Sequence, residues 1–342
     1  MTDPLARLGP EARGRLRPAP HPEWVAPMLA TLTDRRFSDP AWIFERKLDG
    51  ERCLAFRLGD EVRLLSRTRQ RLGGTYPEIV DAIAAQKAPQ ARDVVLDGEV
   101  VAFDGGNTSF ARLQQRLGIT DPERARRSPV AVYYYVFDLL HLDGYDITAL
   151  AVRDRKALLR GALTFADPLR FTAHRNGTGE AYLDSACARR WEGLIAKRAT
   201  SPYVSRRSPD WLKLKCSASQ ELVIGGFTEP AGSRVGLGAL LVGYHDGDDL
   251  VYAGKVGTGF SRDVLVDLRR RLGALRTDTA PFTRGGVAER AVHWVRPELV
   301  AQVAFTEWTS DGKLRHPRFQ GLRTDKPAAQ VTRERPADLS RR

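Results

Sequence analysis

The sequence predicts an α+β protein of two domains: a larger one of antiparallel sheets and helices, then a small β-barrel. Three observations predict it. With 342 residues, the chain exceeds one average domain. Up to Lys215, strand-like alternation is interleaved with amphipathic helical patterns. Beyond Lys215 the chain turns to short strands punctuated by Gly, Pro and Asp, as in a small barrel or sandwich. The expected boundary lies near 216–220. The expected segments are a flexible N-terminal arm (1–24), a first domain (25–217), a second domain (218–328) and a basic tail (329–342).

The elements follow in order. "CLAFRLGDEVRLLSRT" reads as two strands joined at Gly59 and Asp60. "YPEIVDAIAAQKA" puts Ile79, Val80 and Ile83 on one helical face. "DVVLDGEVVAFD" reads as a strand interrupted at Asp97-Gly98 and then continued, and "FARLQQRLGI" as a short amphipathic helix. "VAVYYYVFDLLHLDG" is β-branched and aromatic, a buried strand ending in a turn. "VRDRKALLRGAL" and "EAYLDSACARRW" read as helices, and "EGLIAKRA" as a strand. "DWLKLKC" is a strand that alternates two lysines onto one face. In the second domain "SRDVLVDLRRRLGAL" supplies a helix, and "ELVAQVAFTEWTSDGKLRHPRF" returns to strands.

The formal charge of +12 favours a polyanionic partner, nucleic acid or a membrane surface, over which an ordinary arginine-rich surface is the competing reading. No apolar run reaches the ~20 residues of a membrane-spanning helix, and the N-terminus lacks a signal-peptide core. The expected location is therefore cytoplasmic. Cys53, Cys187 and Cys216 are isolated, which argues for a reducing compartment and against disulfides or zinc. The six histidines are scattered, with no histidine-based metal cluster evident.

Charges recur where apolar strands do not choose them. Lys47, Asp49 and Arg52 fall in "KLDGER", Glu99 in "LDGE", Phe137 and Asp138 in "YVFD", Glu192 and Lys197 in "EGLIAK", and Lys213 and Lys215 in "WLKLK". Only nine of the 54 basic residues are lysines, and four of the nine are here. Lysine can lose its proton and become a nucleophile, and arginine cannot.

In this order, with "SRTR" after the first, these stretches resemble the motif series of the nucleotidyltransferase superfamily: ATP-dependent DNA ligases, RNA ligases and capping enzymes. "PMLATLTDRRFSDPAWIFERKLDGERC", "TEPAGSRVGLGALLVGYHDGDDLVYAGKVGTGF" and "HPRFQGLRTDKP" are similar to the ligase module of bacterial end-joining DNA ligases, over about residues 27–327. In that family the module is often fused to polymerase and phosphoesterase domains. This chain is too short for either, so a standalone ligase core is expected.

The resemblance implies an adenylation (nucleotidyltransferase) domain followed by an oligonucleotide-binding (OB) barrel. It implies ATP as substrate and Mg2+ or Mn2+ as cofactor, with Lys47 as the nucleophile that takes AMP. It assigns Glu45, Arg52, Arg67, Glu99, Phe137, Lys213 and Lys215 to ATP or AMP, with Phe137 stacking on adenine and Glu45 at the adenine edge. Asp49, Glu99 and Glu192 become metal ligands. Arg315, Arg323, Asp325 and Lys326 are expected to orient pyrophosphate. Attack needs a neutral Lys47, whose pKa Arg52, Lys213, Lys215 and the metal are expected to lower.

The implied partner is duplex DNA with nicks or ends, joined by a Ku-like end-binding protein and a separate polymerase or phosphoesterase. The implied form is a nucleoid-associated monomer with no membrane partner. An RNA ligase or capping enzyme, another lysine-adenylylating nucleotidyltransferase, or a non-enzymatic nucleic-acid binder stays open. An NAD-dependent ligase is disfavoured, since neither its cysteine zinc motif nor room for its extra domains is present.

Overall fold

A computed structural model describes residues 4–86, 91–230, 235–289, 291–323 and 325–336. Residues 87–88 of the expected "YPEIVDAIAAQKA" helix and 337–342 of the expected tail lie outside them, as do 231–234 and Thr324 in the quoted C-terminal stretches. The chain divides into two compact units between Cys216 and Ser217.

The first unit contains β1 (Leu29–Leu32), β2 (Trp42–Lys47), β3 (Glu51–Leu58), β4 (Glu61–Ser66), α1 (Pro77–Ala84), β5 (Asp93–Asp104), β6 (Val132–Leu142), α2 (Val152–Ala162), β7 (His174–Asn176), α3 (Gly179–Ala188), β8 (Gly193–Arg198) and β9 (Arg207–Lys215). One sheet runs β6–β5–β3–β4, extended beyond β6 by Tyr145–Asp146 and then Arg17–Pro18. Leu169–Phe171 joins β6 in parallel. The other sheet runs β7–β2–β8–β9–β1, antiparallel except at β9–β1.

Period-two alternation gives the second sheet two unlike faces. Trp42, Phe44, Leu194, Ala196, Leu212 and Leu214 share one face and pack on Tyr182, Leu183 and Ala186 of α3. Each such Leu or Phe contributes about 1.5–3 kcal/mol on burial. The opposite face carries Glu45, Lys47, Lys213 and Lys215. At one end of that face Trp211 and Tyr203 meet Leu54, Phe56, Val95 and Leu140 of the first sheet in a small core shared with Met28. The back of the first sheet packs on Ile79 and Ile83 of α1 and Leu158 and Leu159 of α2.

Several expectations need correction. The segment before residue 25 is not a loose arm: Leu5 and Leu8 are buried in the main core, and Arg17 and Pro18 pair with Asp146 and Tyr145. Apolar side chains in an otherwise charged stretch are enough to dock it. β5 is continuous through Asp97-Gly98, the irregularity being absorbed as shifts of register against β6. The helix in "FARLQQRLGI" keeps only Phe110–Leu113. Cys187 and Cys216 form a disulfide, because α3 packs on the sheet whose β9 leads into Cys216. Distant histidines do meet: His21 and His141 both contact Asp93.

The second unit has β10 (Ala218–Thr228), β11 (Leu240–Asp246), β12 (Asp249–Val256), α4 (Arg262–Gly273), β13 (Val300–Phe305) and β14 (Arg318–Arg323). Its antiparallel sheet runs β12–β11–β10–β13–β14, with Val292–Trp294 also on β10. The Leu314 N–H donates to Ala253 O and the Phe319 N–H to Thr258 O, both at 2.9 Å, so the β14 side curls round to the β12 side. Leu265, Leu268 and Leu272 of α4 pack into the core so formed. Ser261 caps α4 through the Val264 N–H. The first part of the expected tail is also ordered: Val331 is buried and Thr332 bridges to His245.

Candidate active site

The polar face of the second sheet is built by register. Gly193 pairs with Lys47 on one side and Lys215 on the other, so one row reads Lys47–Gly193–Lys215. The next row reads Glu45–Ile195–Lys213, and the third Ile43–Lys197–Trp211. Three stretches far apart in sequence thus place their charges on one surface, because paired residues share a face. Gly193 has φ +145°, and a Cβ there meets Leu214 O at 2.0 Å. Only glycine fits, and it puts no side chain between the two lysines.

Lys47 Nζ lies 2.5 Å from Glu192 Oε1, both side chains about one-fifth exposed. Glu192 is anchored just ahead of β8, its carbonyl accepting from the Cys216 N–H at 3.0 Å. Asp49 is held in the turn after β2: its carboxylate accepts from the Phe110 N–H at 3.2 Å, and its own N–H donates to Thr108 Oγ1 at 3.3 Å. Gly50 lets this turn close on β5, since a Cβ there meets Val100 O at 2.1 Å.

Burial disfavours the Lys47 ammonium, but Glu192, then Asp49 and Glu99, outweigh it and hold the amine above its ordinary range. Of the groups expected to lower it, Arg52 is turned to Asp97 instead. Arg52 donates to both oxygens of Asp97 at 2.5 Å and to Met28 O at 3.2 Å. Asp97 also accepts from Tyr203 Oη at 2.7 Å, and Tyr203 Oη accepts from the Met28 N–H. Burial weakens the Arg52 cation, and Asp97 more than restores it.

The Arg52 guanidinium lies 4.6 Å from the centroid of the Phe137 ring, as does Lys197 Nζ. Glu45, expected at the adenine edge, is almost wholly buried, with one oxygen on Lys156 and the other 2.8 Å from Lys197. Lys156 and Lys197 also reach the Phe137 carbonyl, at 3.5 and 3.4 Å. Burial pulls the Lys197 ammonium down further than Glu45 lifts it. Beneath, Asp138 and Arg155 form a fully buried two-bond pair, at 2.7 and 2.9 Å. Burial raises the Asp138 carboxyl, but Arg155 and then the two lysines carry it below its usual range.

Arg67 follows β4, where Ser66 pairs with Cys53, the neighbour of Arg52. Ser66 Oγ accepts from the Thr68 and Gln70 N–H groups and shapes that turn. Glu99 faces Arg52 directly across the β3–β5 ladder. In the second unit, Arg323 binds Asp325 through two hydrogen bonds of 2.9 Å, Lys326 binds Glu221, and Arg315 binds Glu307 at 2.7 Å.

The first unit therefore carries Lys47, Glu45, Asp49, Arg52, Arg67, Glu99, Phe137, Glu192, Lys213 and Lys215 on its two sheets or the turns beside them, and the second holds Arg315, Arg323, Asp325 and Lys326. Sequence reasoning missed Asp97, Tyr203, Lys156 and Arg155. Asp97 stands two residues before Glu99 in "LDGE", which was signal enough. Nothing local marks Lys156 or Arg155 in a charged helix. Asp49, Glu99 and Glu192 all raise the Lys47 pKa and offer only oxygen donors, the ligand type that Mg2+ and Mn2+ take, but among the described residues their ligand atoms do not form a group that converges within 4.8 Å.

Residues 27–215 match the family described as the ATP dependent DNA ligase domain, and 233–326 its C terminal region. The chain is 39% identical over 350 residues to the multifunctional non-homologous end joining protein LigD of Pseudomonas aeruginosa, and 38% identical over 319 residues to that of Mycolicibacterium smegmatis. These cover 97% and 92% of this chain but 40% of each relative. A solved structure of mycobacterial DNA ligase D complexed with ATP and MES superposes with a TM-score of 0.66 and 36% identity, covering 91% of this chain and 98% of that one. The fold is accordingly an adenylation domain followed by an OB-type domain. With its first unit matched almost throughout and its lysine-bearing row in place, the chain belongs to the ATP-dependent DNA ligase family.

Proposed function

We propose that this chain seals breaks in duplex DNA through a lysyl-AMP intermediate. The observation that carries the reading is the row Lys47–Gly193–Lys215 with Glu192 against the Lys47 amine. In the first step Lys47 Nζ attacks the α-phosphorus of ATP. A P–N bond forms, the bond to pyrophosphate breaks, and the amine proton leaves toward Glu192. The 5′-phosphate oxygen of a break then takes AMP from Lys47. The 3′-hydroxyl attacks that activated phosphate, forming the phosphodiester and expelling AMP.

Lys213 and Lys215 supply fixed positive charge to the phosphates. Phe137 offers its ring to adenine, and Glu45 acts on that site through Lys156 and Lys197, which hold the Phe137 carbonyl. Arg52 keeps its orientation through Asp97, and Arg67 reaches a phosphate or the 3′ end. Asp49, Glu99 and Glu192 hold Mg2+ or Mn2+, which when bound supplies positive charge that favours a neutral Lys47 and neutralises phosphate. Arg315, Arg323, Asp325 and Lys326 orient pyrophosphate in the first step.

Likeness to relatives named for non-homologous end joining supports a role in double-strand-break repair. The partners in that role are a Ku-like end-binding protein and a polymerase or phosphoesterase, with the ligase acting as a nucleoid-associated monomer. No helix among the described residues is long and apolar enough to cross a membrane.

The test is incubation with labelled ATP, GTP and NAD, then sealing of nicked DNA and RNA duplexes. Labelling by ATP with sealing of DNA supports the reading. Labelling by GTP, sealing of RNA alone, or no covalent label overturns it.

A further inference from the structure

His21, Asp93 and His141 lie outside the ligase chemistry described above. His21 follows Arg17–Pro18, Asp93 opens β5, and His141 is the penultimate residue of β6. His21 Nδ1 is 2.7 Å from Asp93 Oδ1, and His141 Nε2 is 3.1 Å from Asp93 Oδ2. The three donor atoms all lie within 4.8 Å of one another. The two imidazoles are nearly perpendicular, at 83°, with centroids 5.5 Å apart. The site is shielded: the side chains are 9%, 22% and 2% exposed in the order His21, Asp93, His141. The Gly144 N–H donates to Asp93 Oδ2 at 3.2 Å and fixes the carboxylate from behind.

Bonds of about 2.0–2.2 Å to a tetrahedral cation hold its ligand atoms about 3–4 Å apart. The present spacing reaches that geometry with small side-chain rotations. Imidazole donors select Zn2+, Ni2+ or Cu2+ over Mg2+, whereas the carboxylates around Lys47 suit Mg2+. We propose that His21, Asp93 and His141 form a second metal site, for a divalent transition-metal cation of the Zn2+ class, with a fourth position for water. The bound cation ties the N-terminal segment to the end of the large sheet. Seven residues beyond His21, that segment reaches Met28, whose carbonyl accepts from Arg52.

The test uses the full chain, stripped of metal by chelator and titrated with Co2+ under excess Mg2+ to occupy carboxylate-only sites. Expected are one equivalent of bound Co2+ with the intense visible absorption of a four-coordinate site, its displacement by Zn2+, and a rise in melting temperature with Zn2+. His21→Ala and His141→Gln each weaken Co2+ binding by more than about tenfold, while Glu192→Gln leaves it unchanged. His21→Ala alters only a side chain of the N-terminal segment, so its binding loss is read on folded protein, checked by circular dichroism. Absence of stoichiometric Co2+ binding, or equal binding by wild type and both histidine variants, reduces the cluster to a hydrogen-bonded triad and overturns the proposal.

Discussion

Lys47 Nζ and Glu192 Oε1 stand 2.5 Å apart, Lys47 at the end of β2 and Glu192 immediately before Gly193, its cross-strand partner. The pairing favours the protonated amine and fixes where its nitrogen points. Lys47→Arg keeps the charge but replaces the proposed nucleophile with a group that stays protonated. Covalent labelling with ATP is expected to vanish in that variant. Glu192→Gln is expected to slow labelling by about two orders of magnitude, since it removes the proposed proton acceptor and metal ligand. A covalent adduct on the arginine variant places the nucleophile elsewhere.

The Asp138–Arg155 pair predicts stability rather than rate. Both side chains are fully buried, so Asp138→Asn leaves a guanidinium in the interior without its counter-charge. The expected cost is about 3–5 kcal/mol, read from the denaturant midpoint. A loss below ~1 kcal/mol shows that water reaches Arg155.

His174 predicts a pH dependence. It pairs with Glu45 in register, and its Nδ1 is buried without a hydrogen-bond partner. Burial lowers its pKa below 6.5; Lys156, Lys197 and Arg153 lower it further, and Glu45 opposes them. The unfolded chain therefore takes the proton first. Its contribution to stability is complete above about pH 6.5 and declines as pH falls below that value. The melting temperature is expected to drop between pH 7.5 and 5.5, and His174→Gln to flatten that drop. An unchanged slope in the variant assigns the titration to another group.

Asp325 separates two steps of the reaction. Its carboxylate holds Arg323 through two hydrogen bonds. If the pair serves pyrophosphate, Asp325→Ala loses adenylylation by ATP yet seals a pre-adenylylated nick at a rate near that of wild type. Single-turnover sealing measures this, and equal loss in both steps assigns Asp325 to the fold or the DNA grip. DNA affinity of the intact chain is expected to fall steeply with salt, as a net charge of +12 and counterion release require.

Strand alternation by itself determined most of the strand-and-helix order, and the resemblance of the ordered motifs to known ligases pointed to the family that the comparisons show. In "KLDG", "EGLIAK" and "WLKLK" the period of two assigns each charge to one face before any contact is known. The tertiary structure decided what each charge meets. Register set Gly193 between Lys47 and Lys215 and Asp97 diagonally across from Arg52, and helix α2 delivered Lys156 to Glu45 and Arg155 to Asp138. It also docked Leu5 and Leu8, joined Cys187 to Cys216 and brought His21 to Asp93. The reason is range. A strand's alternation is written in neighbouring residues, whereas partners 72 or 111 residues apart meet only when whole elements pack, and no local pattern records that.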